Sequence, residues 1–289
     1  AISIGNDAAA TRWCVSETQA TKPTVGTSTC NGGAGGSSGW FTAEPTTHSV
    51  SASDALKTVY VWIADAANNV NANAVTDTIT LDTVLPAVPT VALKDTNTLS
   101  PTDTNVSPAG LDVTVDTDAV AWCVFEQATA AGAPSAPLFG DLCFVGTRPV
   151  AQSMAAVGNR KVYVYTRDVA ANVSSAAAVA TINYTTSAPA NPTLALGDPT
   201  TSSTSYARQQ AITIAVGNDA TAARWCVSET QTTKPSIGTS TCTGGAGPSS
   251  GWFTTEPTTF TMSATDAAKT VYVWIADGAN NVNATAVST

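Results

Sequence analysis

Arg12-Trp13-Cys14-Val15-Ser16-Glu17-Thr18 is the stretch on which the reading of this chain turns. It returns as Arg224-Trp225-Cys226-Val227-Ser228-Glu229-Thr230, and in looser form as Ala121-Trp122-Cys123-Val124-Phe125-Glu126. A second cysteine follows each block: Cys30, Cys143 and Cys242. Asp65, Asp168 and Asp277 recur with the same spacing, so the period is roughly 105 residues, the size of one β-sandwich domain. Residues 11–71 align without gaps to residues 223–283, with roughly four-fifths identity. The middle copy is divergent. Such self-similarity predicts an array of one duplicated unit.

Composition agrees with an all-β array. Hydrophobic residues make up 43% of the 289 and charged residues only 11%. Threonine, serine, alanine and valine fill the gap, as suits strands with an uncharged polar surface. The net charge of −9 excludes the Lys/Arg neutralisation that nucleic acid requires. It also argues against electrostatic docking on anionic membranes. No apolar run is long enough for a spanning helix, so no membrane insertion is expected. Ala1-Ile2-Ser3-Ile4 reads as a strand rather than a basic leader region, as expected of a mature, processed or truncated chain.

The strand pattern has period two throughout, and no α-helix is predicted. Residues 1–4 alternate, as do 111–115 and 212–216. In the Trp-Cys strand, Trp13 and Val15 point one way and Cys14 and Ser16 the other. The Trp side is the expected core face. A polar loop covers residues 19–39 and ends in Trp40-Phe41; its tip, residues 31–39, is too rich in glycine for regular structure. A modest strand is expected at 49–53. The strongest strand is 57–65, recurring at 161–168 and 269–277. An Asn-rich turn at 66–69 follows, then a last strand toward Asp82. Pro-containing stretches at 84–89 and 187–192 read as linkers. The expected domains are 1–84, with its first strand missing, 87–186, and 190–289, with its last strand incomplete.

Six cysteines, two per unit, predict disulfides within units: Cys14–Cys30, Cys123–Cys143 and Cys226–Cys242. A closed loop of about 15 residues contributes about 3 kcal/mol in the chain-entropy model. Zinc lacks ligands, because there is no CxxC pair and His48 is the single histidine.

The run Val59-Tyr60-Val61-Trp62-Ile63-Ala64-Asp65-Ala66-Ala67-Asn68-Asn69-Val70-Asn71 resembles the penultimate strand and turn of bacterial immunoglobulin-like repeats, which often read Asp-x-Ala-Gly-Asn-x-Ser. Asp168-Val169-Ala170-Ala171-Asn172-Val173-Ser174 is closer still. Ala or Asn stands where that family usually has Gly, and the Trp-Cys strand with its loop is an addition. The resemblance implies three tandem immunoglobulin-like β-sandwiches in an extracellular stalk, adhesin or filament without catalysis; the disulfide in each comes from the cysteine count. In such a sandwich the Trp-Cys strand neighbours residues 57–65, and Cys14, Tyr60 and Trp62 share the outer face. Two outcomes follow. The stapled loop and Trp40 cover Tyr60 and Trp62 as a second core. Alternatively Trp40, Tyr60, Trp62, Trp252, Tyr272 and Trp274 form an exposed platform for a glycan or a partner surface.

Other sites have weaker signals. One histidine, replaced by Phe260 in the last unit, cannot support a recurring nucleophile triad. Asp7 and Asp65 read as turn caps. Residues 32–39 match no phosphate loop. Calcium at unit junctions has candidate ligands in Asp82, Asp95, Asp103 and Asp198. Lys57, Lys161 and Lys269 open equivalent strands and read as solvated strand-edge lysines, with Lys–Asn crosslinks as the rarer alternative. Asn172-Val173-Ser174 and Asn283-Ala284-Thr285 fit the glycosylation pattern, which is frequent by chance, and the chain reads as bacterial. The incomplete first and last units are expected of a window on a longer array, or of subunits that self-associate by strand complementation. The function expected is a structural subunit of an extracellular fibre, stalk or surface layer; the alternative is an adhesin or carbohydrate-binding module.

Overall fold

The computed structural model describes residues 1–5, 8–25, 30, 39–114, 117–217, 220–237, 242 and 251–289. The described residues are all β, in five small sheets, with no helix. None therefore forms a helix long and apolar enough to cross a membrane. The chain makes two compact units, Ala1–Leu85 and Pro86–Thr289.

In Ala1–Leu85, β1 (Arg12–Ser16), β2 (Ala55–Ala64) and β3 (Val75–Leu81) form one antiparallel sheet in that order. Trp13 lies opposite Ile63, Cys14 opposite Trp62 and Val15 opposite Val61. Because side chains alternate along a strand, Trp13, Val15, Val61 and Ile63 share one face and Cys14 and Trp62 the other. Beyond β1, Trp13 and Phe41 exchange two backbone hydrogen bonds of 3.0 and 2.8 Å. The strands expected at 1–4 and 49–53 do not form. Their region is joined by a bond from the Ile2 N–H to the Thr46 carbonyl at 2.9 Å. A strand persists only when a ladder satisfies its backbone, and these segments lack one.

Pro86–Thr289 contains four sheets. The first pair is β4 (Val91–Lys94), β6 (Ala109–Val113) and β8 (Ala151–Gln152), against β5 (Asp103–Thr104), β10 (Ala178–Tyr184), β9 (Gly158–Arg167) and β7 (Ala121–Ala128). β5 and β10 are parallel; the other pairings are antiparallel. The two sheets share one core, Leu93, Leu111 and Val113 from the first and Trp122, Val162, Val164 and Ile182 from the second. Each such fully buried aliphatic side chain contributes roughly 1.5–3 kcal/mol of transfer free energy.

The second pair repeats the order. β11 (Thr193–Gly197), β12 (Ala211–Gly217) and β14 (Thr259–Thr261) face β13 (Arg224–Ser228), β15 (Tyr272–Ala276) and β16 (Val287–Ser288). Ile212, Ile214, Val216 and Phe260 pack on Trp225, Val227, Val273 and Ile275. The alternation in β12, Ala-Ile-Thr-Ile-Ala-Val-Gly, is the cause: its isoleucines and Val216 are buried and the residues between them are exposed.

Polar bonds fix the passage between the two pairs. The Asn281 side chain donates to the Thr185 carbonyl at 2.9 Å. Asn191 accepts from the Asn283 side chain and the Thr285 N–H, both at 3.2 Å, and donates to the Thr285 hydroxyl at 2.7 Å. Gly278 sits against Asp103: a Cβ there would lie 3.0 Å from the Asp103 carboxylate oxygen. No side chain larger than hydrogen fits without displacing Asp103.

Candidate functional site

The recurring Trp-Cys block is committed residue by residue to internal structure. The cysteines form three bonds, Cys14–Cys30, Cys123–Cys143 and Cys226–Cys242, with Cα–Cα distances of 5.3, 4.9 and 5.4 Å. Cys14, Cys30, Trp40, Trp62 and Ala64 pack as one buried cluster on the outer face of the sheet. Cys226, Cys242, Trp252, Trp274, Ala276 and Val282 form its counterpart. The Ser16 hydroxyl accepts the N–H groups of Thr18 and Gln19 at 3.0 and 3.2 Å, which turns the chain at the strand end. That turn presents the Gln19 carbonyl to the Trp62 indole N–H at 2.8 Å. Ser228, Gln231 and Trp274 repeat the device, with an indole bond of 2.9 Å.

The return of the stapled loop needs glycine at one point. Gly39 has φ +64° and Gly251 φ +62°. A Cβ on them would lie 1.7 and 1.6 Å from the carbonyl oxygens of Cys30 and Cys242. Glycine alone meets both demands, and Trp40 and Trp252 then enter their clusters. The remainder of the glycine run, residues 31–38, lies outside the described residues, as does Asp7.

The acidic and basic side chains near the block are also held internally. The Glu17 carboxylate accepts the Ser51 N–H at 3.0 Å. Its pKa lies below the ordinary carboxylate value, chiefly through the Ser51 side chain and then through this N–H, against the opposing effect of burial. Glu229 accepts the Ser263 N–H at 2.9 Å. In the middle segment the corresponding Glu126 forms an ion pair with Arg160, both nearly buried. Lys57 donates to the Ser51 and Ser53 hydroxyls, and Lys269 to those of Ser263 and Thr265. These neighbours are hydroxyls, whereas a Lys–Asn crosslink needs a carboxamide. The geometry favours no crosslink at these two lysines.

The recurring aspartates cap turns. The Asp65 carboxylate accepts the backbone N–H and the side-chain amide of Asn69, each at 2.8 Å. Those bonds lower its pKa, with the Asn69 side chain the larger cause. Asp168 accepts the same two hydrogen bonds from Asn172, and Asp277 from Asn281. Asn68, Ala171 and Asn280 occupy the left-handed position of this turn, with φ of 66°, 72° and 67°. Three residues past the left-handed position of that turn, Asn283 is fully buried and donates to the Thr285 carbonyl and to Asn191. That amide is closed to a glycosylating enzyme in the folded chain.

The six aromatics do not make a flat platform. Trp40, Trp62, Trp252 and Trp274 are 3–4% exposed, and Tyr60 and Tyr272 are half-buried. Burial of an indole beside a disulfide removes more apolar area from water than stacking at the surface leaves in it, so the rings turn inward. The calcium candidates each hold internal hydrogen bonds. Asp95 accepts the N–H groups of Asn97 and Thr98 and the hydroxyls of Thr98 and Thr104. Burial raises its pKa, and these bonds outweigh burial and bring it below the ordinary value. Asp103 accepts from Thr102 and the Asn183 amide, and Asp82 from the Val84 N–H. Asp198 binds the N–H groups of Thr200, Thr201 and Arg208. Among the described residues no three His, Cys, Asp or Glu side chains are placed to hold a metal ion.

Sequence reasoning missed one surface. In the middle segment the stapled loop carries Leu138, Phe139 and Leu142, exposed by 72%, 67% and 100%. Phe144 is half-buried instead, with the Arg167 guanidinium 4.7 Å above its ring. The signal was the replacement of a glycine-rich tip by Leu-Phe-Gly-Asp-Leu-Cys-Phe.

No protein-family model matches the chain, and no curated protein sequence matches it.

Proposed function

We propose that this chain is a non-enzymatic structural segment of an extracellular fibre, stalk or surface layer, built from tandem immunoglobulin-like repeats. The observation that carries the reading is the repeated use of one internal scaffold. The Trp-Cys block, its disulfide and its Asp-capped turn serve packing in the first and last copies alike. The strand orders β4-β6-β8 with β5-β10-β9-β7, and β11-β12-β14 with β13-β15-β16, support an immunoglobulin-like sandwich for each of these two segments. The hydrogen-bonded passage at Thr185–Asn191 favours a rigid spacer over a hinge. Three disulfides favour an oxidising compartment and hence a secreted or cell-surface location. The mechanism is mechanical: stapled units span distance and resist proteolysis.

The adhesin or carbohydrate-binding alternative loses its main support with the burial of the four tryptophans. Electron microscopy of the native material tests the proposal. Ordered filaments or a lattice are expected, and dispersed monomers with glycan-dependent binding would sink it.

A further inference from the structure

The middle disulfide lacks the cover that the other two have. Cys30 and Cys242 are 4% and 5% exposed. The returning chain closes over each of them, with Gly39 and Gly251 pressed on their carbonyls. Trp40 and Trp62 pack with the first bond, and Trp252 and Trp274 with the last. Cys143 is only half-buried, and Leu142 before it is fully exposed. Its partner Cys123 is 0% exposed.

The sequence explains the difference. The bridges Trp13–Phe41 and Trp122–Val145 put Phe144 in the place of Trp40. Cys143 directly precedes that aromatic, whereas Cys30 lies ten residues ahead of Trp40. No stretch of loop remains to fold back over Cys143. Phe144 is a smaller ring, half-buried, and it faces the Arg167 guanidinium. Opposite Cys123 stands Tyr165, where the other copies have Trp62 and Trp274. Tyr165 turns edge-on to Phe125, with ring centres 6.3 Å apart.

The middle bond is also separate from its core. Leu93, Leu111, Trp122, Val162, Val164 and Ile182 pack together without either cysteine. Opening this bond removes a crosslink and none of those contacts. Access decides which sulfur a thiolate can reach, and the exposed bond of a set is the labile one.

We propose that Cys123–Cys143 is a site of thiol–disulfide exchange with low-molecular-weight thiols, and that Cys143 carries the sulfur attacked. The incoming thiolate forms a new S–S bond to the Cys143 sulfur. The bond to Cys123 breaks, and the Cys123 sulfur leaves with the electron pair as a thiolate and takes up a proton. The products are a mixed disulfide on Cys143 and a free thiol on Cys123, with residues 124–142 no longer closed into a loop. Attack by the Cys123 thiolate on Cys143 reverses the step and expels the small thiol. The proposal stands on the contrast in cover and does not depend on the fibre reading.

The test incubates the full chain with reduced glutathione under native conditions, alkylates the free thiols and maps the cysteines by mass spectrometry. A glutathione adduct on Cys143 with Cys123 alkylated is expected. It should form about tenfold or more faster than Cys14–Cys30 or Cys226–Cys242 opens. The rates are then measured in urea below the unfolding transition. Attack on the folded chain leaves the middle rate flat, whereas bonds reached only through unfolding open faster as urea rises. Three bonds opening at equal rates, an adduct on Cys123, or a middle rate that climbs with urea as steeply as the others would each overturn the proposal.

Discussion

The indole N–H of Trp62 donates to the main-chain carbonyl of Gln19 across 2.8 Å, and Trp274 repeats the bond to Gln231 at 2.9 Å. Each bond ties the start of the stapled loop to the outer face of the sheet. The Trp274 bond is buried, so its partner carbonyl has no ready substitute in water. Trp274→Phe keeps most of the apolar volume and removes the donor. The expected cost is about 1–3 kcal/mol, the penalty of a buried unsatisfied acceptor. A lower urea midpoint at unchanged slope would show it, and an unchanged midpoint would refute it.

Gly251 is held at φ +62° with the Cys242 carbonyl where a methyl group would go. Gly251→Ala must therefore shift the backbone on which Trp252 enters its cluster. Loss of more than about 1 kcal/mol is expected, with a red-shifted tryptophan emission as the ring gains water. Gly217→Ala tests the contrast: its Cβ meets the Thr193 side chain rather than backbone, so the emission should stay unchanged.

Ala171 occupies the left-handed turn position that Asn68 and Asn280 fill in the other copies, at φ 72°. Alanine is strained there and glycine is not. Ala171→Gly is expected to stabilise the middle segment by up to about 1 kcal/mol, less the entropy glycine adds to the unfolded chain. Thermal unfolding followed by near-ultraviolet circular dichroism measures it. A lowered midpoint would contradict the strain argument.

Asp198 is held at a pKa of about 2, chiefly by the N–H of Arg208 and then that of Thr201, against an ordinary value near 3.8. Its folded pKa is depressed, so its contribution is fully present above about pH 4. It is lost as the pH falls from there toward 2, where the folded state also takes up the proton. Asp198→Asn should lower stability at neutral pH and flatten the fall between pH 4 and 2. A variant whose acid limb superimposes on that of the parent would argue that the three N–H bonds do not hold the charge.

Gly278 touches the Asp103 carboxylate, which links β5 of the middle segment to the turn after β15. Gly278→Val forces those groups apart and weakens the Asn281 and Asn191 bonds beside them. A larger radius of gyration in small-angle scattering is expected, with faster proteolysis across residues 185–192. The melting of each separate core should change little, because neither cluster includes Gly278. Unchanged scattering would mean the junction does not depend on this contact.

Much of this was legible in the chain. Alternation placed Trp13 and Val15 on one face and Cys14 on the other, because a strand allows side chains only two directions. Cysteine spacing and parity pointed to the three bonds that form. The Asn-rich run at 66–69 marked a turn and Asp65 its cap, since Asn tolerates positive φ and Asp side chains cap nearby backbone. Burial was not legible at the level of single aromatics. Tyr60 and Trp62 look alike on one strand, yet Trp62 is buried under Trp40 and the disulfide while Tyr60 is half-open. Nor could spacing show that Asp103 meets Gly278, or that Cys143 lacks the cover given to Cys30 and Cys242. Local pattern fixes which way a side chain points, because that depends on its own backbone. What lies on the other side depends on residues tens of positions away, and only the folded chain brings them there.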